Sequence, residues 1–349
     1  MRATVYHGPR DIRVDQVPDA TLREPTDALL RVTHACVCGS DLWPYRGGME
    51  IYGPAGGRTG HEFMGVVEAV GAAVQKIRPG DHVIAPFAYS DGTCDFCAED
   101  LHTSCLHGGY WGGQNDGGQG EAVRVPMADG TLVVLPGEVD LGDATLAAKI
   151  APLTDVVGTG HHAALSAGVR PGSIAIVIGD GAVGLSATLA AKRLGAERLI
   201  VCGHHEGRLD IARRFGATDV VAERGAEAIA RVREMTGGGA ASVLECVGTT
   251  DSMRTAIGMT RPGGTVGYVG LPEGNEIDFF TLYANNIRIA GGVAPVRAYQ
   301  DELLADVLAG RIDPSPLMDH TVMLDDIAAG YAAMDERRAV KVLVTVSTP

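Results

Sequence analysis

Thiol, imidazole and carboxylate groups close together are the donors that hold a divalent cation, and two short segments offer them: Cys38 in ACVCGSD, and His61 with Glu62 in GHEFMG. A catalytic zinc takes about three protein ligands and keeps one position open, and all three donor types suit it. A plainer reading stands beside this one, because a lone cysteine is usually a small buried apolar group and an exposed His-Glu pair is usually just solvated. A third group is denser. Of seven cysteines, three fall between Cys94 and Cys105, and such clustering in a reducing compartment reads as metal binding rather than as disulfides.

A second kind of chemistry lies in the run IAIVIGDGAVG, where Gly179, Gly181 and Gly184 have G-x-G-x-x-G spacing directly after an apolar strand and at the mouth of a helix. The first glycine allows the tight turn, the second lets a pyrophosphate approach the backbone, and the third lets helix pack on strand. The phosphates then meet unpaired N–H groups at the positive end of the helix. About 20 residues further on, an NAD site offers an acidic side chain to the ribose 2′-OH. In LIVCGHHEGR that place is Gly203. Glycine there makes room for a 2′-phosphate, and His204, His205 and Arg208 can supply donors and positive charge, so the expected cofactor is NADP(H) rather than NAD(H).

The elements that must position these groups change character along the chain. Up to about residue 150, short apolar or alternating runs (Leu29 to Thr33, Met64 to Val70, His82 to Ala85, Glu121 to Val125, Leu132 to Leu135) are broken by Gly, Pro and Asp, which predicts a β-rich barrel or sandwich. After Pro152, apolar strands at Ile174 to Ile178 and Arg198 to Val201 alternate with helical stretches from Gly181 to Leu194 and Arg208 to Phe215, and the rhythm continues to about Gly291. Alternation of this kind predicts a parallel sheet with helices on its faces. Two helices and a final strand, Val340 to Val346, follow.

Composition limits the functions available. A chain of 349 residues holds about two domains, and 46% hydrophobic with 21% charged residues is globular usage. The net charge of -14 opposes a general affinity for nucleic acid or anionic lipid. No apolar run approaches the roughly 18 residues of a membrane span, and MRATVYHGPR lacks the apolar core of a secretory signal. The expected compartment is therefore the cytoplasm.

The motifs, in their order and spacing, resemble the zinc-dependent medium-chain alcohol dehydrogenases over almost the whole chain: C-G-S-D at Cys38 to Asp41, G-H-E at Gly60 to Glu62, G-D-x-V at Gly80 to Val83, the cysteine loop and the glycine turn. The resemblance implies an α/β protein with a GroES-like β-rich catalytic domain over 1–155 carrying a cysteine-rich lobe at 90–106. A Rossmann domain with a doubly wound parallel sheet would cover 156–290, and 291–349 would return to the first domain.

Carried onto this chain, the resemblance makes Cys38 and His61 catalytic zinc ligands and Glu62 a neighbouring carboxylate able to coordinate transiently. Where relatives often have a third ligand Cys, this chain has Asp155, which resembles the NADP-dependent bacterial secondary-alcohol dehydrogenases. Thr159 would contact the nicotinamide carboxamide and Val183 would back its ring. In the lobe, Asp91 stands where the family has the first of four cysteines, and with Cys94, Cys97 and Cys105 it would close a structural zinc site. Ser40 would exchange the substrate's hydroxyl proton. The histidine that often carries that proton onward is replaced by Trp43, and Trp43, Phe87 and Trp111 match pocket-lining positions. His34, Cys36, Cys202 and Cys246 read as packing residues.

The implied reaction is zinc-assisted hydride transfer between NADP(H) and a small-molecule alcohol, aldehyde or ketone, by a homodimer or homotetramer. Relatives that act on polyols, sugars or threonine with NAD form an alternative, and a catalytically silent cofactor-binding redox sensor is a reading from a different class.

Overall fold

The computed structural model describes residues 1–48, 55–113, 115–137, 139–274 and 276–347. The chain divides into two compact units, one formed by Met1–Asp155 with Pro295–Pro349 and the other by Val156–Ala294. Among the described residues no helix is long and apolar enough to cross a membrane.

The first unit is built on a largely antiparallel sheet in the order His320–Met323, Val342–Thr345, Ala28–Val37, Phe63–Val70, His82–Ala85, Val133–Val134, with Ala122–Val125 also paired to Ala28–Val37. The central strand Ala28–Val37 is the longest of these because its residues are buried or half-buried along their whole length. It packs Leu30, Val32 and Val37 into a core shared with Phe63, Val83, Val123 and Tyr331. Each such fully buried aliphatic side chain contributes about 1.5–3 kcal/mol. The strands expected in this region are present with their ends shifted by a few residues. An N-terminal hairpin, Arg2–Gly8 with Asp11–Gln16, was not among the expected elements; its charged second strand carries Asp11, Arg13 and Asp15 and so lacks a clear apolar run.

Six parallel strands make the sheet of the second unit, in the order Asp219–Val221, Arg198–Cys202, Ile174–Ile178, Ala240–Glu245, Thr260–Tyr268, Arg288–Gly291. This is the doubly wound order in which the first strand lies at the switch point, the place where such sheets bind ligands beyond their carboxyl ends. Ile174–Ile178 and Arg198–Cys202 are buried on nearly every residue, which is why they read as continuous apolar runs rather than as alternation. The helices Val156–Ser166 and Ala182–Arg193 cross where Gly160 faces the second: a Cβ on Gly160 would lie 2.4 Å from the backbone nitrogen of Ala187.

Candidate metal centre and dinucleotide turn

Four donors converge in the first unit. Cys38 follows the end of the strand Ala28–Val37, and its N–H donates to Asp41 Oδ2 at 2.9 Å, which pins the turn. His61 and Glu62 precede the strand Phe63–Val70. The backbone enters this segment through Gly60 at φ +94°, where a Cβ would lie 2.4 Å from Gln119 Cγ, so only glycine fits. Asp155 caps the C-terminal end of the short 3-10 turn Ala151–Thr154, which carries Pro152 near its start. One ligand atom from each of Cys38, His61, Glu62 and Asp155 lies within 4.8 Å of all the others. Cys38 Sγ and His61 Nε2 are each 3.5 Å from Asp155 Oδ2, and Ser40 Oγ is 3.3 Å from His61 Nε2.

The surroundings explain why a cation belongs there. His61 Nδ1 lies 3.2 Å from Asp41 Oδ1, the carboxylate–imidazole contact that fixes the tautomer and leaves Nε2 as the donor to a metal. Asp41 is itself held by the amide of Gln119, whose Oε1 accepts from Thr59 and from Tyr331. Glu62 Oε1 accepts from Lys341 Nζ at 2.6 Å with both side chains 0% exposed, while Glu62 Oε2 is buried with no hydrogen-bond partner among the described residues.

The electrostatics follow from this crowding. Burial, then the charge of Glu62, pushes the Cys38 thiol up to about 11. Burial raises the Glu62 carboxyl against the pull of Lys341. Desolvation would depress His61, yet the carboxylates of Asp41 and Asp155 hold it well above its ordinary value. A buried carboxylate oxygen with no proton donor, beside a thiol, an imidazole and a second carboxylate, is the donor chemistry of a zinc site. The residues fit the ion.

The lobe forms a second cluster. Ligand atoms of Asp91, Cys94, Cys97 and Cys105 also lie within 4.8 Å of one another, and the cysteines are free thiols. Asp91 Oδ1 accepts from the N–H groups of Thr93 and Cys94, and Oδ2 lies 2.6 Å from His107 Nδ1. Desolvation notwithstanding, these partners hold the Asp91 carboxyl well below the usual range. The backbone N–H groups of Leu106 and Cys97 lower Cys94, whereas burial and the neighbouring thiols push Cys97 up to about 12. Three sulfurs and one ionised carboxylate are an acceptable tetrahedral set.

In the second unit the glycine turn has its expected form. Gly179 adopts φ +113°, Gly181 caps the helix Ala182–Arg193, and a Cβ on Gly184 would lie 2.1 Å from the Gly179 carbonyl oxygen. Nothing lies within 4 Å of a Cβ built on Gly181, and the first amides of a helix lack intrahelical acceptors, which together suit a pyrophosphate. Val183 lies half-buried in the first turn of that helix, and Thr159 half-buried on Val156–Ser166. The open space expected at Gly203 is absent. A Cβ there would lie 2.6 Å from Asp180 Cβ, and the donors expected for a 2′-phosphate are engaged: His204 Nδ1 lies 2.7 Å from the Ala222 carbonyl oxygen, and His205 Nδ1 2.9 Å from Asp180 Oδ2.

Among the aromatics, Trp111 is a core residue rather than a pocket wall. It is buried, donates Nε1–H to the Pro86 carbonyl, and packs its ring on Phe63 and Tyr89. Phe87 stacks on Tyr110, and Trp43 is half-buried. Sequence reasoning passed over Asp41, Gln119, Lys341, His107 and Asp180. Two carried a signal: Asp41 lies three residues after Cys38, and Lys341 is a lone cation in the apolar run AVKVLVTV.

Comparison with known proteins gives the family. Residues 24–137 match the family model described as alcohol dehydrogenase GroES-like domain, and residues 182–307 match that of zinc-binding dehydrogenase. A zinc-type alcohol dehydrogenase B from Aspergillus flavus is 34% identical over 98% of this chain and 81% of its own length. A zinc-type alcohol dehydrogenase-like protein from Bacillus subtilis is 31% identical over 97% of both chains. The solved structure of an alcohol dehydrogenase from Thermus sp. ATN1 superposes with a TM-score of 0.91 at 34% identity, covering 99% of this chain and 100% of that one.

Proposed function

The chain belongs to the zinc-dependent medium-chain alcohol dehydrogenases, a family that uses zinc and a nicotinamide cofactor on small alcohols and aldehydes, and from that premise we propose how its own residues divide the work. Cys38, His61 and Asp155 hold the catalytic zinc, with Glu62 beside them as a carboxylate able to enter the ligand set. When bound, the ion supplies Lewis acidity to the oxygen of an alcohol or carbonyl substrate.

Everything else falls to side chains. Ser40 holds its hydroxyl at the His61 edge of the donor cluster and passes the substrate's hydroxyl proton. Asp41 keeps the His61 ring in its ligating tautomer. With Trp43 where a histidine would relay the proton, Ser40 would pass it on to water, to a cofactor ribose hydroxyl or to another side chain.

Gly179, Gly181 and Gly184 would seat the pyrophosphate of the dinucleotide, Thr159 would orient its carboxamide and Val183 would back its ring, and the bound nicotinamide would supply hydride exchange with the substrate carbon. Segment 1–155 with 291–349 is assigned to catalysis and 156–290 to the cofactor. The preference for NADP(H) expected from an open Gly203 loses its premise, since that space is filled.

Asp91, Cys94, Cys97 and Cys105 hold a structural zinc. Assembly is assigned as a homodimer or homotetramer. The strongly exposed Phe279, Phe280 and Tyr283 of the helix Phe279–Asn285 support it, being an apolar surface of the kind subunits bury. The free cysteines suit the reducing cytoplasm.

The observation that carries this reading is the convergence of Cys38, His61, Glu62 and Asp155 within 4.8 Å. Its test is a screen of primary, secondary and polyhydroxy alcohols with each dinucleotide, before and after chelation. Turnover should stop on chelation and return with zinc. Cys38→Ser should abolish turnover while leaving dinucleotide binding intact; full activity in that variant would remove the assignment.

A further inference from the structure

Asp180 is the second residue of the glycine turn, and its side chain crosses to the end of the neighbouring parallel strand Arg198–Cys202. Its Oδ2 accepts from the N–H of His204 at 2.6 Å and the N–H of His205 at 3.0 Å, and lies 2.9 Å from His205 Nδ1. Arg208 Nη1 stands 3.8 Å from Oδ1. A Cβ on Gly203 would lie 2.6 Å from Asp180 Cβ and 2.9 Å from Oδ2. Residue 203 is therefore glycine because another side chain occupies the space that its own would fill.

That arrangement reverses what the sequence suggests. In a doubly wound sheet the end of the second strand is where the adenosine ribose is read, by a carboxylate for a 2′-OH or by cationic groups for a 2′-phosphate. Here the two amides at the entrance to the helix Glu206–Arg214, which an incoming phosphate would use, already serve an internal anion. The His205 ring and Arg208 face that same anion, and the His204 ring is turned to the Ala222 carbonyl. Burial works against the Asp180 charge, but the backbone N–H groups and the His205 ring outweigh it and keep the carboxyl below its ordinary range. A carboxylate offers about four acceptor positions over its two oxygens. Three donors crowd Oδ2, while among the described residues Oδ1 faces the distant Arg208 contact alone.

We infer that Asp180, reaching over from the glycine turn, supplies the carboxylate that accepts the adenosine ribose 2′-OH and excludes a 2′-phosphate, so that the chain takes NAD(H) in preference to NADP(H). The assignment rests on the proposed binding of a nicotinamide dinucleotide by the second unit. Asp180 acts as a specificity residue: it touches the cofactor far from the reacting carbon.

Equilibrium binding to the whole zinc-loaded chain tests this without turnover. NADH and NADPH are titrated by their own fluorescence, and ADP-ribose and its 2′-phosphate by calorimetry. The wild-type chain should bind NADH, and ADP-ribose, at least tenfold more tightly than the 2′-phosphorylated partner, the scale of a lost or opposed charged hydrogen bond. Asp180→Asn keeps an acceptor for the two amides while removing the charge, and Asp180→Ser removes more of the side chain. Both should weaken NADH and strengthen NADPH, closing the ratio. Tighter NADPH binding by the wild type, or equal weakening of both dinucleotides in the variants, would overturn the inference and leave the proposed reaction standing. Failure of the wild type to bind either dinucleotide would overturn both.

Discussion

Lys341 offers the sharpest test of how the metal centre is balanced. Its ammonium is buried, 2.6 Å from Glu62 Oε1, and also donates to the Val37 carbonyl oxygen at 3.5 Å. Burial works against that charge, and the Glu62 carboxylate more than offsets it. Lys341→Met keeps most of the volume and removes the ammonium from Glu62 Oε1, while Oε2 has no hydrogen-bond partner among the described residues. Breaking one partner of a buried pair costs about 3–5 kcal/mol, a fall in Tm on the order of 10 °C. The loss should be largest in protein stripped of zinc, where no cation faces Oε2, and smaller in the zinc-loaded chain. The double variant Lys341→Met with Glu62→Gln buries no unpaired charge and should recover most of the loss. Denaturant unfolding of wild type, Lys341→Met and the double variant, each with and without metal, reads this directly. Equal stability of Lys341→Met and wild type in metal-free protein would refute the reasoning, as would a double variant no better than the single one.

Other predictions follow from separate parts of the molecule. Asp41→Asn weakens the partner of His61 Nδ1 and should lower zinc affinity by about 10–100-fold in a competition assay with a chromophoric chelator. Cys105→Ser should reduce bound zinc from two ions to one per chain by elemental analysis, with the catalytic metal retained, if the lobe holds an ion through the four groups clustered there. Gly184→Ala forces a Cβ to within 2.1 Å of the Gly179 carbonyl oxygen, so the turn must open and dinucleotide affinity should fall by at least roughly tenfold. Asp27 is buried and accepts from Arg124 and from the N–H groups of Arg23 and Glu24. Burial opposes its ionisation, but these partners hold its carboxyl below the ordinary value. The stability it adds is therefore fully present above the unfolded pKa of about 3.9 and disappears as pH falls through the lower folded value. Urea midpoints of wild type and Asp27→Asn should differ at pH 6 and converge only once pH has fallen through the lowered folded value of Asp27.

How far the fold could be read from the residues depended on whether a physical rule was visible in one stretch of chain. Ile174–Ile178 and Arg198–Cys202 were legible because strands covered on both faces become unbroken apolar runs. The hairpin strand Asp11–Gln16 was not, since its charged residues alternate around only Ile12 and Val14. Within the centre, Cys38, His61 and Asp155 are separated by stretches far longer than any local period, and their meeting depends on a family pattern rather than on spacing. Lys341 approaches Glu62 across 279 positions of sequence, a distance at which composition and period carry no information. Gly203 is the most instructive case: its missing side chain suggested space, but a glycine also appears where a neighbour fills the site, and only the placement of Asp180 distinguishes the two.

The account stands most directly on a metal among the first cluster of donors. Crystals of active protein grown without chelator, with diffraction recorded on both sides of the zinc absorption edge, should show an anomalous peak bounded by Cys38 Sγ, His61 Nε2 and an Asp155 carboxylate oxygen. An active crystal with no peak at that position would contradict it.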